Sequence, residues 1–158
     1  MELRKINNDN IWDIVKLKVA DPQIHFVASN ANSIIEAFGV RESGYTALPF
    51  GLYENDTPVG FVMIGYGSIG DDEEPSVVSD SYCIWRFMID RRYQGRGFGK
   101  AAMEKTLEYI RTYPCGKAKY CWLSYEPENI AAKTLYSKFG FRETGELDGD
   151  EIIAVLTL

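Results

Sequence analysis

The residues with the clearest chemical potential lie between Ile84 and Lys100, in the stretch IWRFMIDRRYQGRGFGK. An apolar run crosses the charged segment Asp90 to Arg92 and enters Gln94-Gly95-Arg96-Gly97-Phe98-Gly99, after which a helical pattern begins. Three glycines in close succession let the backbone approach a ligand and set several N–H groups on one concave side. A helix start at the same point adds partial positive charge. Such a loop suits a pyrophosphate. Two familiar phosphate motifs do not match it. A dinucleotide fingerprint needs G-x-G-x-x-G after the first strand of a βαβ unit, whereas these glycines run G-x-G-x-G in mid-chain. A P-loop needs a hydroxyl residue after its lysine to hold magnesium, and Ala101 stands there instead. A plain tight turn would also use glycines, but a second segment further on favours a ligand site.

That segment is Ser124 to Phe141, SYEPENIAAKTLYSKFGF. Together the two segments resemble the GNAT superfamily of acyl-CoA N-acyltransferases. Its loop motif, [Q/R]-x-x-G-x-[G/A], is met by Gln94, Gly97 and Gly99. Its later signature is met by Asn129, Ala132, Tyr136, Gly140 and Phe141. The resemblance implies acetyl-CoA as co-substrate and an α/β (α+β) fold in one domain. In that fold a single mixed, mostly antiparallel sheet is flanked by helices, and its fourth and fifth strands splay apart.

Carried over residue by residue, the resemblance sets the pantetheine arm against the backbone of Phe87, Met88 and Ile89. The pyrophosphate falls on Gln94, Gly95, Arg96, Gly97, Phe98, Gly99 and Lys100. Asn129 would hold the pantetheine arm and Lys133 would assist at a phosphate. Tyr136 matches the family's general acid, which protonates the departing thiolate. A neutral amine would attack the thioester directly, through a tetrahedral intermediate whose oxyanion is held by a strand-four N–H, with Met88 as the candidate.

The segment QIHFVASNANSIIEA, Gln23 to Ala37, and Trp85-Arg86-Phe87-Met88-Ile89 resemble the bacterial spermine/spermidine acetyltransferase branch. The acceptor implied is a primary amine of the polyamine type. Alternatives are another amine (an aminoglycoside, an amino acid or a protein amine) and a non-catalytic acyl-CoA-binding sensor. Related enzymes often carry a glutamate on strand four, where this chain has Trp85 with Arg86 beside it. The base that strips a proton from the ammonium is therefore open among Asp80, Tyr82, Glu36, Glu54 and Glu126. Glu36 and Trp85 are the candidate acceptor contacts, the indole offering an aromatic face to a cation. His25, the sole histidine, reads as a surface or packing residue.

Composition narrows the classes. Hydrophobic residues make up 46% of the 158 and charged residues 25%, as in a folded globular chain. A net charge of −6 argues against nucleic acid, which needs a basic face. No apolar run approaches the ~20 residues of a membrane span, and the N-terminus lacks a signal-peptide core, so the expected setting is cytoplasmic. Cys83, Cys115 and Cys121 form neither a disulfide framework nor a metal spacing. The expected partner is a small-molecule amine, with a homodimer allowed because dimers are common in the superfamily.

The elements expected to position these groups start with a strand at Glu2 to Ile6. A helix follows that is capped by Asn8 to Asn10, carries the apolar residues Trp12, Val15 and Val19 at helical spacing, and ends at Asp21-Pro22. A second helix spans about Ser29 to Val40, with Ala31, Ile34, Ile35 and Phe38 on one side. Ala47 to Tyr53 and Pro58 to Tyr66 read as paired strands. The acidic run Asp71 to Pro75 reads as a solvated loop. Then come the strand Ser81 to Ile89, a helix Phe98 to Tyr113, the strand Lys119 to Tyr125 and a helix Asn129 to Lys138. Strands Phe141 to Thr144 and Ile152 to Thr157 finish the sheet around a turn at Gly145 to Asp150.

Overall fold

A computed structural model describes residues 1–71 and 74–158; Asp72 and Glu73 of the acidic run lie outside the described residues. The order is β1 (Glu2–Lys5), α1 (Ile11–Val15), a 3-10 turn at Asp21–Gln23, α2 (Asn30–Glu42), β2 (Thr46–Glu54), β3 (Thr57–Tyr66) and β4 (Ser81–Ile89). Next follow α3 (Phe98–Ile110), β5 (Tyr120–Tyr125), α4 (Ile130–Lys138), β6 (Arg142–Asp148) and β7 (Glu151–Thr157). The strands form one seven-stranded sheet in the order β1-β2-β3-β4-β5-β7-β6. Only β4 and β5 pair in parallel; the other neighbours are antiparallel.

Each face of the sheet carries a core. Ala102, Met103, Leu107 and Ile110 of α3, with Tyr136 of α4, pack on Val62, Ile64, Tyr82, Ile84 and Leu123. Ile14 of α1 and Ala37 of α2 pack on Phe61, Met63 and Met88 across the other face. Because β3 is covered on both sides, its sequence is nearly continuous in apolar residues rather than alternating.

Two features shape β4. It pairs with β5 only at Ser81↔Tyr120, Tyr82↔Cys121 and Cys83↔Trp122, although both strands run on. A bulge against β3, where Met63 faces Arg86 and Ile64 faces Ile84, leaves Trp85 as the extra residue. Trp85 consequently packs with the α1–α2 core, and Arg86 reaches Glu36 of α2. Beyond the bulge, Ile89 turns its carbonyl away from β3 to accept from the Gln94 side chain at 2.9 Å. The pleat then directs the backbone groups of Phe87 and Ile89 toward the gap beside β5 and those of Met88 toward β3. There a Cβ on Gly60 would collide with the Met88 carbonyl oxygen.

Several elements differ from the sequence expectation, each for a tertiary reason. The first helix stops at Val15 rather than near Asp21. Residues after it form a strap whose Lys18 N–H donates to Asp90 Oδ2 at 2.9 Å and whose Lys18 carbonyl accepts from Arg91 N–H at 2.8 Å. Trp12, Ile35 and Phe38, part of the apolar helical patterns, are each more than two-thirds exposed. The inward face of α2 is made instead by Asn30, Ser33 and Ala37, and the Asn30 amide donates to the Ile14 carbonyl at 2.9 Å. Asn10 does not cap α1 with its side chain; its amide donates to the Lys5 carbonyl. Ser29 does cap α2, accepting from Asn32 N–H. The last hairpin is longer than expected, since β6 continues to Asp148 and β7 starts at Glu151. Gly149, φ 58°, takes the first central position of its two-residue turn, where positive φ is wanted. β6 is exposed along its whole length and so lacks an apolar pattern.

Asp90, 2% exposed, ties the strap to the loop beyond β4. It accepts from Lys18 N–H, from Arg92 N–H at 3.0 Å and from Arg92 Nε at 2.7 Å. Burial opposes its charge, but these donors outweigh burial and hold the carboxyl below its ordinary 3.8. Its stabilisation is therefore present above about pH 4 and fades as pH falls through the lowered native value. Asp90→Ala should lower the unfolding free energy by about 3 kcal/mol at neutral pH, read from urea midpoints. The deficit relative to wild type should shrink on acidification below pH ~4.

Candidate functional site

Between the parted strands lies a cavity of about 440 Å³. One wall is β4 from Ile84 to Ile89, and the other is Ser124 and Tyr125 of β5 with Asn129, Ala132 and Tyr136 at α4. Gln94, Gly95 and Gly99 close one end, and His25 to Ala28, ahead of α2, stand at the mouth. β5 keeps its antiparallel partner β7 on its other edge over Tyr120 to Tyr125, while its pairing with β4 stops at Trp122. The free edge of β4 thus faces open space with the backbone groups of Phe87 and Ile89 unclaimed by a strand, a place where an extended amide-bearing arm could pair.

At the loop, Gly95 and Gly97 hold φ of 72° and 83°, and a Cβ on either would meet nothing within 4 Å. Positive φ, rather than crowding, is what requires glycine there. Gly97 is the N-cap of α3 and offers no capping side chain. The first bond of the helix runs from Ala101 N–H to the Gly97 carbonyl at 3.2 Å. The N–H groups of Phe98, Gly99 and Lys100 precede it, left for an anion at the positive end of a thirteen-residue helix. Gln94 points inward, its amide donating to the Ile89 carbonyl and to Gln23 Oε1 at 2.8 Å. It therefore anchors the loop to β4 and to the strap before α2. These residues fit the two ends of a coenzyme A molecule.

Tyr136 is 8% exposed. Its ring lies 5.7 Å from that of Tyr125 and 6.1 Å from Phe141, between centroids. Among the described residues its hydroxyl has no protein partner, and the side chain lines the cavity. Burial, with Glu151 and Tyr125 nearby, pushes the phenol well above the ordinary tyrosine value. The group stays protonated across the neutral range. Tyr125, by contrast, donates to Glu143 Oε1 at 2.8 Å, and burial followed by that carboxylate pushes it up to about 12.

The sequence-derived candidates separate into groups. Phe87, Met88, Ile89, Gln94, Gly95, Gly99, Asn129, Tyr136 and Trp85 all line the cavity. Arg96, Gly97, Phe98, Lys100 and Lys133 lie outside its lining. The Arg96 guanidinium stands 5.2 Å from the Phe98 ring centroid, and Lys100 faces Glu104 at 3.8 Å. Lys133 pairs with Glu143 at 2.8 Å. Asn129 caps α4, its side-chain oxygen accepting from Ala132 N–H at 3.1 Å. Met88 N–H, the expected oxyanion donor, is turned toward β3 by the pleat; those of Phe87 and Ile89 face the gap.

None of the five candidate bases reaches the cavity. Glu36 is paired with Arg86 at 3.0 Å and Glu54 with the N-terminal amine at 3.0 Å. The Tyr82 hydroxyl donates to the Gly116 carbonyl and accepts from Cys115 N–H. Asp80, at φ 53°, and Glu126 are not in the lining. Two residues that the motifs did not mark are there instead, Ser124 and Glu151. Trp85 already carries the Arg86 guanidinium 5.5 Å from its ring centroid.

A second cavity of about 300 Å³ adjoins the first, Trp85 and Ser124 lining both. Glu36, Asp71, Glu74 and Asp148 contribute to it, together with Trp122. No helix among the described residues is long and apolar enough to cross a membrane. Among the same residues, no group of His, Cys, Asp and Glu is placed to hold a metal.

A mixed sheet opened at one parallel pair, with a glycine loop and helix start at the end of the gap, defines an acyl-CoA-binding transferase. Residues 13–141 match the model of the Acetyltransferase (GNAT) family, and the chain belongs to it. It is an acetyl-CoA-dependent N-acetyltransferase. The chain is 32% identical to the spermine/spermidine N(1)-acetyltransferase of Bacillus subtilis (strain 168), over 94% of this chain and 91% of that protein. Among solved structures, the aminoglycoside acetyltransferase AAC(6')-Ib in complex with coenzyme A superposes with a TM-score of 0.80 at 16% identity, covering 99% of this chain and 94% of that one. The PaiA N-acetyltransferase of Thermoplasma acidophilum, also in complex with coenzyme A, gives 0.69 at 14% identity over 99% and 98%.

A β-branched side chain at Gly97 would have to be held at positive φ, at a strain of about 1–3 kcal/mol that is relieved by shifting the backbone of the α3 N-terminus. Gly97→Val should keep the circular dichroism of the fold while weakening acetyl-CoA binding by more than about tenfold, each 1.4 kcal/mol being a factor of ten. Calorimetric titration with acetyl-CoA checks it, and an unchanged affinity removes the loop from the cofactor site.

Proposed function

We propose that the chain acetylates a primary amine of a polyamine such as spermidine or spermine. The observation that carries this reading is the second cavity, acidic and walled by the indoles of Trp85 and Trp122, opening on the transfer cleft. Carboxylates and aromatic faces together suit an extended polycation. The 32% identity to a Bacillus enzyme of that name supports the same reading. Arg86 offsets Glu36, so the acidic character rests mainly on the remaining carboxylates.

In this reading the pantetheine arm lies along the free edge of β4 and pairs with Phe87 and Ile89, while the pyrophosphate sits on the N–H groups of Phe98 to Lys100. The amine attacks the thioester carbonyl, and an N–H of Phe87 or Ile89 holds the oxyanion. Tyr136, kept protonated by burial, gives its proton to the departing sulfur as the C–S bond breaks. Lys133 and Arg96 act at the rim, as general positive charge near the phosphates. The net charge of −6 supports a small cation over nucleic acid as partner. The three free thiols support a reducing, cytoplasmic setting, and a homodimer is part of the same reading.

Free-thiol release from acetyl-CoA with spermidine, spermine and unrelated amines, run beside Tyr136→Phe, tests the proposal. Polyamines should give the highest kcat/KM, and the variant should lose about 10²-fold in kcat with little change in acetyl-CoA affinity. Preference for another amine would move the substrate class, and full activity of Tyr136→Phe would remove Tyr136 from proton transfer.

A further inference from the structure

The structure assigns the proton acceptor of the reaction to Glu151, a residue that no motif marks; this rests on the acceptor being an alkylammonium ion. Such an ion, with an ordinary pKa of about 10.4, is almost wholly protonated at pH 7 and has no lone pair to attack with. A base is required in the cleft.

Glu151 is the one carboxylate among the described residues that lines the transfer cavity. It opens β7, directly across the hairpin from Asp148. Its Oε2 accepts from the Ser124 hydroxyl. Ser124 and Trp85 form the partition shared with the second cavity. An amine coming from the acidic side therefore passes Glu151 before it meets the thioester. Glu151 also reaches Tyr136 on α4 and Cys83 on β4 with its charge, raising the pKa of both. It is half-buried, so a proton taken up can pass on to water. The charged and titratable groups around this position are Tyr125 on β5, Tyr136 on α4 and Arg86 on β4, which line the same cavity, Asp148 on β6, its partner in the hairpin, and Cys83 on β4, within reach of its charge.

The steps balance as follows. The R–NH3⁺ group gives one proton to the Glu151 carboxylate, which releases it to solvent. The freed lone pair forms the C–N bond. Collapse breaks C–S, Tyr136 protonates the sulfur, and the second proton lost by nitrogen restores the Tyr136 phenol. The products are the N-acetyl amine, the free thiol and one proton in solution.

Glu151→Gln keeps an oxygen for the Ser124 hydroxyl and removes the basicity. Its kcat/KM would be measured from pH 6 to 10 with spermidine, with an alkyl monoamine and with an aromatic amine that is neutral at pH 7. The expected result is a loss of about 10²–10³-fold at neutral pH for both alkylamines. That loss should shrink as pH nears ~10 and the amine supplies its own neutral form. The aromatic amine should be little affected, acetyl-CoA affinity unchanged, and Glu151→Asp should recover part of the rate. If the variant keeps the wild-type pH profile, or loses only KM for spermidine, Glu151 is not the base and the assignment falls. Failure of the polyamine reading shows separately, as a wild-type preference for the monoamine with the pH-dependent loss intact.

Discussion

The structure depends on a pairing that stops early. β4 and β5 share three parallel rungs, Ser81 to Cys83 against Tyr120 to Trp122, and then part. In a sheet buried on both faces, an unpaired strand edge would leave backbone N–H and C=O groups without partners, each costing about 1–3 kcal/mol if kept from water. Here that edge opens into a cavity. The backbone groups of Phe87 and the N–H of Ile89 face that cavity, while the Ile89 carbonyl accepts from Gln94.

Everything around the gap keeps it from closing. Asp90 fastens the strap at Lys18 to the loop at Arg92, and Gln94 bridges Ile89 to Gln23. Both side chains tie the segment before α2 to the end of β4 and the loop beyond it. The Trp85 bulge sends Trp85 to the α1–α2 core and Arg86 to Glu36 of α2, so one strand carries both the α2-side contacts and the wall of the transfer cavity. Gly60 allows β3 to approach Met88 closely, which fixes the side of β4 that remains available.

Electrostatically the two walls differ. On the α4 side, burial keeps Tyr136 protonated, and Glu143, held low by Lys133 and by Tyr125, lies behind Tyr125 rather than in the cleft. On the α2 side, carboxylates surround the indoles of Trp85 and Trp122. A protonated phenol thus lines one side of the transfer cavity, while the carboxylates of the second cavity lie beyond the partition formed by Trp85 and Ser124.

By itself the sequence determined the family, the order of the main elements and the glycine loop with its helix start. Those rest on local chemistry: positive φ at Gly95 and Gly97, a helix beginning at Phe98, and the spacing from Asn129 to Tyr136. Tertiary structure alone decided the first helix's end, the inward face of α2 and the length of β6. In each case long-range hydrogen bonds or a hairpin partner overrode propensity, as Lys18 shows with Asp90 and β6 with β7. The same holds for Ser124 and Glu151. They stand 27 positions apart, carry no common motif, and meet only because β5 pairs with β7. Candidate bases nearer the motifs, such as Glu36 and Glu54, were drawn into ion pairs that only folding creates.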